Sequence, residues 1–309
     1  MTARPLSVIV FPGGFNLPLW AGMEHGFFRS RGLDLQLRFT TNSVEQLTAL
    51  IEGSSDIGLT GFDNIVAYQE GQGEAAIERA PDLFAFMGGD DAFLRLVVQP
   101  DIRSYADLRG RTLSVDALTT GFAFVLRRML ARNGIGENEV RFERAGGVLQ
   151  RFEALQAGTH AGTLLITPFE LMAHRRGLHV LQPASAVLPK YQGISGATRR
   201  SWAKENADTL IGFIRGYLDA LAWLFEPGNR QAASRLLTKK VPSIDPALAV
   251  EACKVLLAAE GGFEPQARLD RDGMLAVLSL RSEYGRPQKM LSEPDTYCDS
   301  SYYEQAARR

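Results

Sequence analysis

Six short segments carry residue types suited to holding a small solute. They are residues 11–16, 40–43, 60–64, 116–122, the pair Gly146-Gly147, and residues 167–169. Each follows an apolar run and precedes a stretch with helical spacing. Small polar residues at a helix start either cap the free backbone N–H groups or leave them open to a ligand oxygen. In the first half of the chain Asn16, Asn42, Asp63 and Asn64 are the candidate ligand contacts. In the second half they are Thr119, Thr120 and Thr167. Phe15, Phe62, Phe122 and Phe169 stand beside them as walls for an apolar or aromatic group. The chemistry offered is recognition by hydrogen bonds and shape. Because Thr, Asn and Ser are also good helix caps, and a Phe after a strand is often core, the sixfold pattern carries more weight than any member.

Catalytic constellations are thin. His25 lies between Glu24 and Gly26 at a helix end, where a solvated cation is the plain reading; for an enzyme it is the first candidate. His160 reads as a turn residue, and His174 and His179 flank Arg175-Arg176; all three are expected to be exposed. Gly13-Gly14 belongs to neither a GxxxxGK nor a GxGxxG pattern. Asp90-Asp91 are adjacent, so their carboxylates point apart. Cys253 sits in a helical stretch as a core thiol, and Cys298 lies in a Tyr- and Ser-rich tail, with no CxxC spacing between them. No nucleophile has an identifiable base. No catalytic residue, metal or cofactor is assigned.

The elements that position these segments are strands alternating with helices, which implies parallel pairing and sheets covered on both faces. Residues 6–11 form a buried strand, 17–28 a helix, and 33–39 an alternating strand. Residues 43–52 form a helix and 56–60 a strand, with a further helix opening near residue 62. The same order recurs as strand 112–116, helix 121–133, strand 140–143, helix 149–157 and strand 162–166. In open sheets of this kind ligands bind beyond the carboxyl ends of the strands, where the six segments fall. Residues 84–98 and 181–191 are the natural crossovers. After residue 201 the chain turns helical, with a long helix over 206–225 and two more near 229–237 and 246–258.

At 309 residues, two domains are expected. The formal charge of −1, from 34 basic and 35 acidic residues, argues against nucleic acid as a partner. Prolines and glycines break the N-terminal stretch, uncharged apart from Arg4, so it is not a membrane span, and without a basic-then-apolar order or a small-residue cleavage site it does not read as a signal peptide; no direct membrane insertion is expected.

These residues resemble a family. Residues 19–28 followed by Gly32-Leu33-Asp34-Leu35 are similar to the first helix and second strand of the two-lobe solute-binding proteins of ABC importers. Within that class the likeness is to the nitrate, sulfonate, taurine and thiamin-pyrimidine-precursor group. Residues 46–53 with Ser55-Asp56-Ile57-Gly58, residues 104–113, Tyr191-Gln192-Gly193 and Arg200-Ser201-Trp202 with Asn206 extend the resemblance over roughly residues 5–235. It implies an α/β, type II periplasmic-binding-protein-like fold with two interlobe crossings and a helical C-terminal section. Lobe one would be residues 1–96 plus 190–309, and lobe two 97–189. It further implies a monomeric receptor that closes its lobes around a small organic solute and passes it to ABC transporter membrane subunits. The compartment is periplasmic if a leader has been removed and cytoplasmic if the chain is native as written. None of the six loops contains Arg or Lys, so the expected solute is neutral, polar or aromatic-bearing, with room for one carboxylate held by helix N-termini, rather than a tightly held sulfonate or nitrate. Two alternatives share the fold: an enzyme of the decarboxylase, desulfinase or thiamin-pyrimidine-synthase kind, and a cytosolic solute sensor. The hinge is expected in residues 88–98 and 183–189.

Overall fold

The computed structural model describes residues 3–91 and 94–308. The chain opens with β1 (Arg4–Val10), α1 (Leu17–Glu24), β2 (Leu33–Phe39), α2 (Ser43–Glu52), β3 (Ile57–Gly61), α3 (Phe62–Gln69) and β4 (Leu83–Gly88). It continues with β5 (Arg95–Val98), β6 (Thr112–Val115), α4 (Gly121–Arg132), β7 (Arg141–Arg144), α5 (Val148–Gln156), β8 (Gly162–Leu165), α6 (Phe169–Arg175) and β9 (His179–Pro183). Then follow β10 (Ile194–Arg199), α7 (Arg200–Glu205), α8 (Ala207–Phe225), α9 (Arg230–Lys240), α10 (Pro246–Leu256), α11 (Arg271–Tyr284) and α12 (Ser301–Ala307).

These strands make two separate five-stranded sheets, ordered β2-β1-β3-β10-β4 and β7-β6-β8-β5-β9. The expected parallel pairing holds for β2-β1-β3 and for β7-β6-β8. Each sheet also contains an antiparallel strand, β10 in the first and β5 in the second, so both are mixed. The two sheets repeat one topology. In both, the three parallel strands run into helices whose N-termini face the space between the lobes.

Local chemistry accounts for the boundaries. β1 is buried from Val8 onward and stops at Pro12-Gly13-Gly14. Leu33 and Leu35 of β2 are buried while Asp34 and Gln36 are exposed, as a half-covered strand requires. α1 ends at Glu24, four residues short of the expected end, because Gly26 adopts φ 72° and the Phe27 N–H closes on the Gly22 carbonyl at 2.8 Å. α8 buries Phe213, Ile214, Tyr217, Leu221 and Leu224 along one face, against α1 and α12. Each such side chain contributes about 1.5–3 kcal/mol relative to exposure.

The chain passes between the sheets twice, from β4 to β5 and from β9 to β10. The crossings are narrower than the sequence reading had them, since residues 83–88 and 179–183 are themselves sheet strands. Asp90 laces the two crossings together. Its carbonyl accepts from the Gly193 N–H (3.0 Å) and the Gln192 side-chain amide (3.3 Å), and its Oδ1 accepts from the Ile194 N–H (3.0 Å). Residues 92 and 93 of the first expected hinge segment lie outside the described residues.

Beyond Ala258 the structure adds α11 and α12, which the sequence reading did not assign. The segment leading into α11 presses its backbone against the end of β4. There the Gly88 N–H donates to the Ala267 carbonyl at 2.9 Å, and a Cβ on Gly88 would overlap the Arg268 carbonyl oxygen. A backbone atom cannot swing aside as a side chain can. Gly88→Ala should therefore lower stability by about 1–3 kcal/mol, seen as a lower urea midpoint. Gly228→Ala, at an open surface position, should leave the midpoint in place.

Candidate functional site

Four of the six polar loops, joined by Ile166 beyond β8 and by the start of β10, enclose one cavity between the sheets. Phe11 and Phe15 come from the loop after β1, and Gly61, Asp63 and Asn64 from the start of α3. Asp116, Thr120, Gly121 and Phe122 come from the β6–α4 loop, and Gly147, Val148 and Arg151 from the start of α5. Ile166 and Ile194 complete the wall. The cavity measures about 60 Å³, room for a handful of waters. A larger solute can enter only if the walls part.

The walls are apolar and aromatic, and the polar floor is made by Asp116 and Arg151. Arg151 lies on the inward stripe of α5 with Val148, Phe152 and Leu155, and is 4% exposed. Its Nη1 donates to the Leu164 carbonyl (2.9 Å) and to Thr163 Oγ1 (3.5 Å), while its Nε has no protein partner. Burial lowers its pKa to about 10, opposed by the negative charge of Asp116. Asp116 accepts the Ser43 N–H through Oδ2 at 3.1 Å, and its shielded Oδ1 has no protein partner. Burial pushes its carboxyl above the usual aspartate range, against the opposing pull of Ser43 and Arg151. The two charges couple without a direct ion pair. Two residues that line the cavity thus carry one buried donor and one buried acceptor that no protein group satisfies, and a buried polar atom left so is costly.

A second buried network closes the cavity's edge. Asp63, 3% exposed, receives Arg281 Nε on Oδ1 and Arg281 Nη2 on Oδ2, each at 2.6 Å. The same Oδ2 accepts the Gly121 N–H at 2.5 Å, at the start of α4 in the other lobe. Arg281, fully buried, also donates to the Thr119 carbonyl (2.6 Å) and lies 4.8 Å from the centre of the Phe124 ring. Further contacts cross the cleft. The Gly147 N–H donates to the Thr41 carbonyl (2.7 Å), the Gly14 N–H to the Thr167 carbonyl (3.3 Å), and the Leu118 N–H to Glu74 (2.8 Å). The lobes are shut against each other.

The structure sorts the sequence candidates. Phe15, Asp63, Asn64, Thr120 and Phe122 are brought together on the cavity wall. Asn16 is wholly buried behind it, donating to the Phe11 (2.7 Å) and Gly13 (3.2 Å) carbonyls and so shaping the loop. Asn42 caps α2: its Oδ1 accepts the Glu45 N–H at 2.8 Å. Thr119 contributes its backbone to the Glu74 and Arg281 contacts, and Thr167 turns its hydroxyl to Glu170 at 2.7 Å. Phe62 packs edge-on to Tyr297 and Phe169 against Phe152, both in the core. His25 lies tilted against Trp223, 4.1 Å between ring centres, and does not line the cavity. His160, expected to be exposed, is buried beside Glu143. Cys253 and Cys298 are free. The reading that no Arg serves the cleft is corrected by Arg151 and Arg281. The first stands one turn beyond its loop, and the second comes from the unassigned C-terminal region.

Comparison with known proteins now bears on this arrangement. The family model described as NMT1/THI5 like matches residues 16–229. The chain belongs to the NMT1/THI5-like family. Among its relatives is the formylaminopyrimidine-binding protein of Halalkalibacterium halodurans, 20% identical over 239 residues, covering 74% of this chain and 68% of that one. The putative binding protein YtlA of Bacillus subtilis is 22% identical over 219 residues, covering 68% of this chain and 63% of that one. This NMT1/THI5-like chain thus spans somewhat under two thirds of the second relative's length. It is also similar to the zinc-bound ligand-binding component of an ABC-type import system from Staphylococcus aureus. The TM-score is 0.80 at 12% identity, covering 99% of this chain and all of that one. The fold is therefore the two-lobe binding-protein fold. Arg281, which closes the cleft of this family member, lies beyond the matched residues. No helix among the described residues is long and apolar enough to cross a membrane.

Asp116 provides a pH test of the floor. Its carboxyl holds a proton more readily in the folded state than in the unfolded chain. It therefore subtracts from stability at neutral pH, and that deficit disappears as pH falls below the unfolded aspartate value of about 3.9. Relative to wild type, Asp116→Asn should be more stable at pH 7 than it is at the acid end. Urea midpoints of both proteins across that range measure the difference.

Proposed function

We propose that this protein is a solute-binding receptor whose lobes close around a small, flat, uncharged organic solute and present it to the membrane subunits of an ABC importer. The observation that carries the reading is the cavity itself. It lies between two sheets at the carboxyl ends of their parallel strands, and Phe11, Phe15 and Phe122 wall it. Its floor holds one unsatisfied acceptor, on Asp116, and one unsatisfied donor, on Arg151. Neither a cysteine nor a histidine lines it. A flat heteroaromatic with an amino group beside a ring nitrogen or carbonyl complements such a floor: the amine donates to Asp116 and accepts nothing, while the neighbouring atom accepts from Arg151. The pyrimidine in the name of the Halalkalibacterium relative supports an aminopyrimidine as the first solute to try. Asp63 is neutralised by Arg281 and Asp116 faces Arg151, so the cavity's charges balance, which favours an uncharged ligand.

In this reading residues 1–96 with 190–309 form one moving body and residues 97–189 the other, as a monomer working in the periplasm. Solute contacts on both lobes favour the closed state, because only interactions absent from the open state shift the balance. Titration with aminopyrimidines should give saturable binding, the solute recovered unchanged after long incubation, and a smaller radius of gyration in solution scattering. Steady conversion of the solute to product would overturn the reading.

Two substitutions separate ligand contact from scaffold. Arg151→Leu removes the floor's donor and should weaken solute binding by about 1.5–3 kcal/mol, the range for a hydrogen bond to a charged group. Asn42→Ala removes a helix cap and should cost about 0.5–2 kcal/mol of stability while leaving affinity as it was. Calorimetric titration and urea unfolding of the same two variants measure both quantities.

A further inference from the structure

We propose that the Asp63 carboxylate is a built-in stand-in for an anionic ligand: it fills a cationic, N–H-lined socket in the cleft and thereby bars oxyanions from it. The inference rests on the cleft being the solute site and goes on to say which solutes it refuses.

The socket is made from three elements. The N-terminus of α4, a twelve-residue helix, directs the Gly121 N–H into the cleft, and such an N-terminus favours negative charge. Arg281 reaches it from α11 and lies under the Phe124 ring, with no solvent exposure. The Tyr191 hydroxyl, wholly buried and without a protein partner, stands close by: a Cβ added to Gly121 would overlap both it and Asp63. A guanidinium, a helix-start N–H and a free hydroxyl are what an oxyanion bridging the lobes would seek. Here the carboxylate that fills this place belongs to the chain. Asp63 takes two hydrogen bonds from Arg281 and one from Gly121, so its two oxygens are committed.

Two consequences follow from charge and geometry. An oxyanion entering the cleft would meet a carboxylate where it needs donors, and expelling Asp63 would strand that charge in a buried place. The contact also joins the lobes, since Asp63 is on α3 of the first and Gly121 on α4 of the second. It adds to the closed arrangement one of the contacts that a bridging anion would make.

Removing the stand-in should create the site it occupies. In Asp63→Ala the Arg281 guanidinium and the Gly121 N–H lose their carboxylate and leave a space of carboxylate size. The variant should bind acetate and methanesulfonate about tenfold or more tightly than wild type, on the scale of one charge-assisted hydrogen bond. Its melting temperature should rise with added acetate, by linkage, and its radius of gyration should fall. Wild type should show none of these responses beyond those given by sodium chloride at matched ionic strength. Asp63→Asn keeps the volume and blocks the socket, so it should stay unresponsive. If Asp63→Ala is too unstable to purify, Asp63→Ser opens part of the same space and should show the same rescue at higher anion concentration. The proposal is overturned if the small variants answer acetate no more than wild type does, or if wild type itself binds methanesulfonate in the cleft. Failure of the receptor reading would look different: Asp63 variants would still gain anion binding, while no uncharged solute bound wild type.

Discussion

A guanidinium with no access to water must be neutralised where it lies, and the arrangement of the cleft depends on how Arg281 meets that demand. Its partner is Asp63, on another helix, and the same carboxylate accepts the first N–H of α4 across the cleft. One buried pair thereby fixes the relative positions of α3, α11 and α4. Such a pair need not be more stabilising than apolar side chains of the same volume, but losing either partner strands a charge. It therefore specifies one closed geometry. The exposed charges around it, Arg175 with Asp245 and Glu251 and Arg128 with Glu283, also link α10 and α11 to the second lobe. With their carboxylates about half in water, they add little individually. The C-terminal helices thus act on the cleft as well as on the body of the first lobe.

Most of the architecture was legible because its signals are local. The strict alternation of residues 33–39 and the apolar stripe of α8 each report the face that an element must bury, and the repeated strand–loop–helix order implied two sheets. Direction is not local. Ile194–Arg199 and Arg95–Val98 read as buried strands whichever way they run, and their antiparallel placement becomes visible only once their neighbours are set. α11 escaped notice because glycine, prolines and charges surround it, and its apolar spacing of Met274, Val277 and Leu278 is short.

The site was legible in its loops and not in its charges. Loop composition located the cavity because small polar residues at helix starts are demanded there both by capping and by close approach of the two lobes. It could not tell Phe15 and Phe122, which face the cleft, from Phe62 and Phe169, which face the core. All four follow a strand, and the difference is the side of the sheet on which the ring falls. Arg151 and Arg281 carry a signal that could have found them. Each occupies an inward position of its helix: Val148, Arg151, Phe152, Leu155 in one and Met274, Val277, Leu278, Arg281 in the other. A charged residue in an apolar stripe has to be satisfied inside the protein, so it marks a buried polar site before any coordinates exist.

The receptor reading requires that Asp116 and Arg151 form the floor of a site that holds a small uncharged solute without changing it. Native mass spectrometry of the purified protein, compared with its Arg151→Leu variant, tests this most directly. The expected result is one small molecule per chain on the wild type, released intact on denaturation and absent or strongly reduced on the variant. An equal load on both proteins, or a solute that carries a formal negative charge, would contradict it.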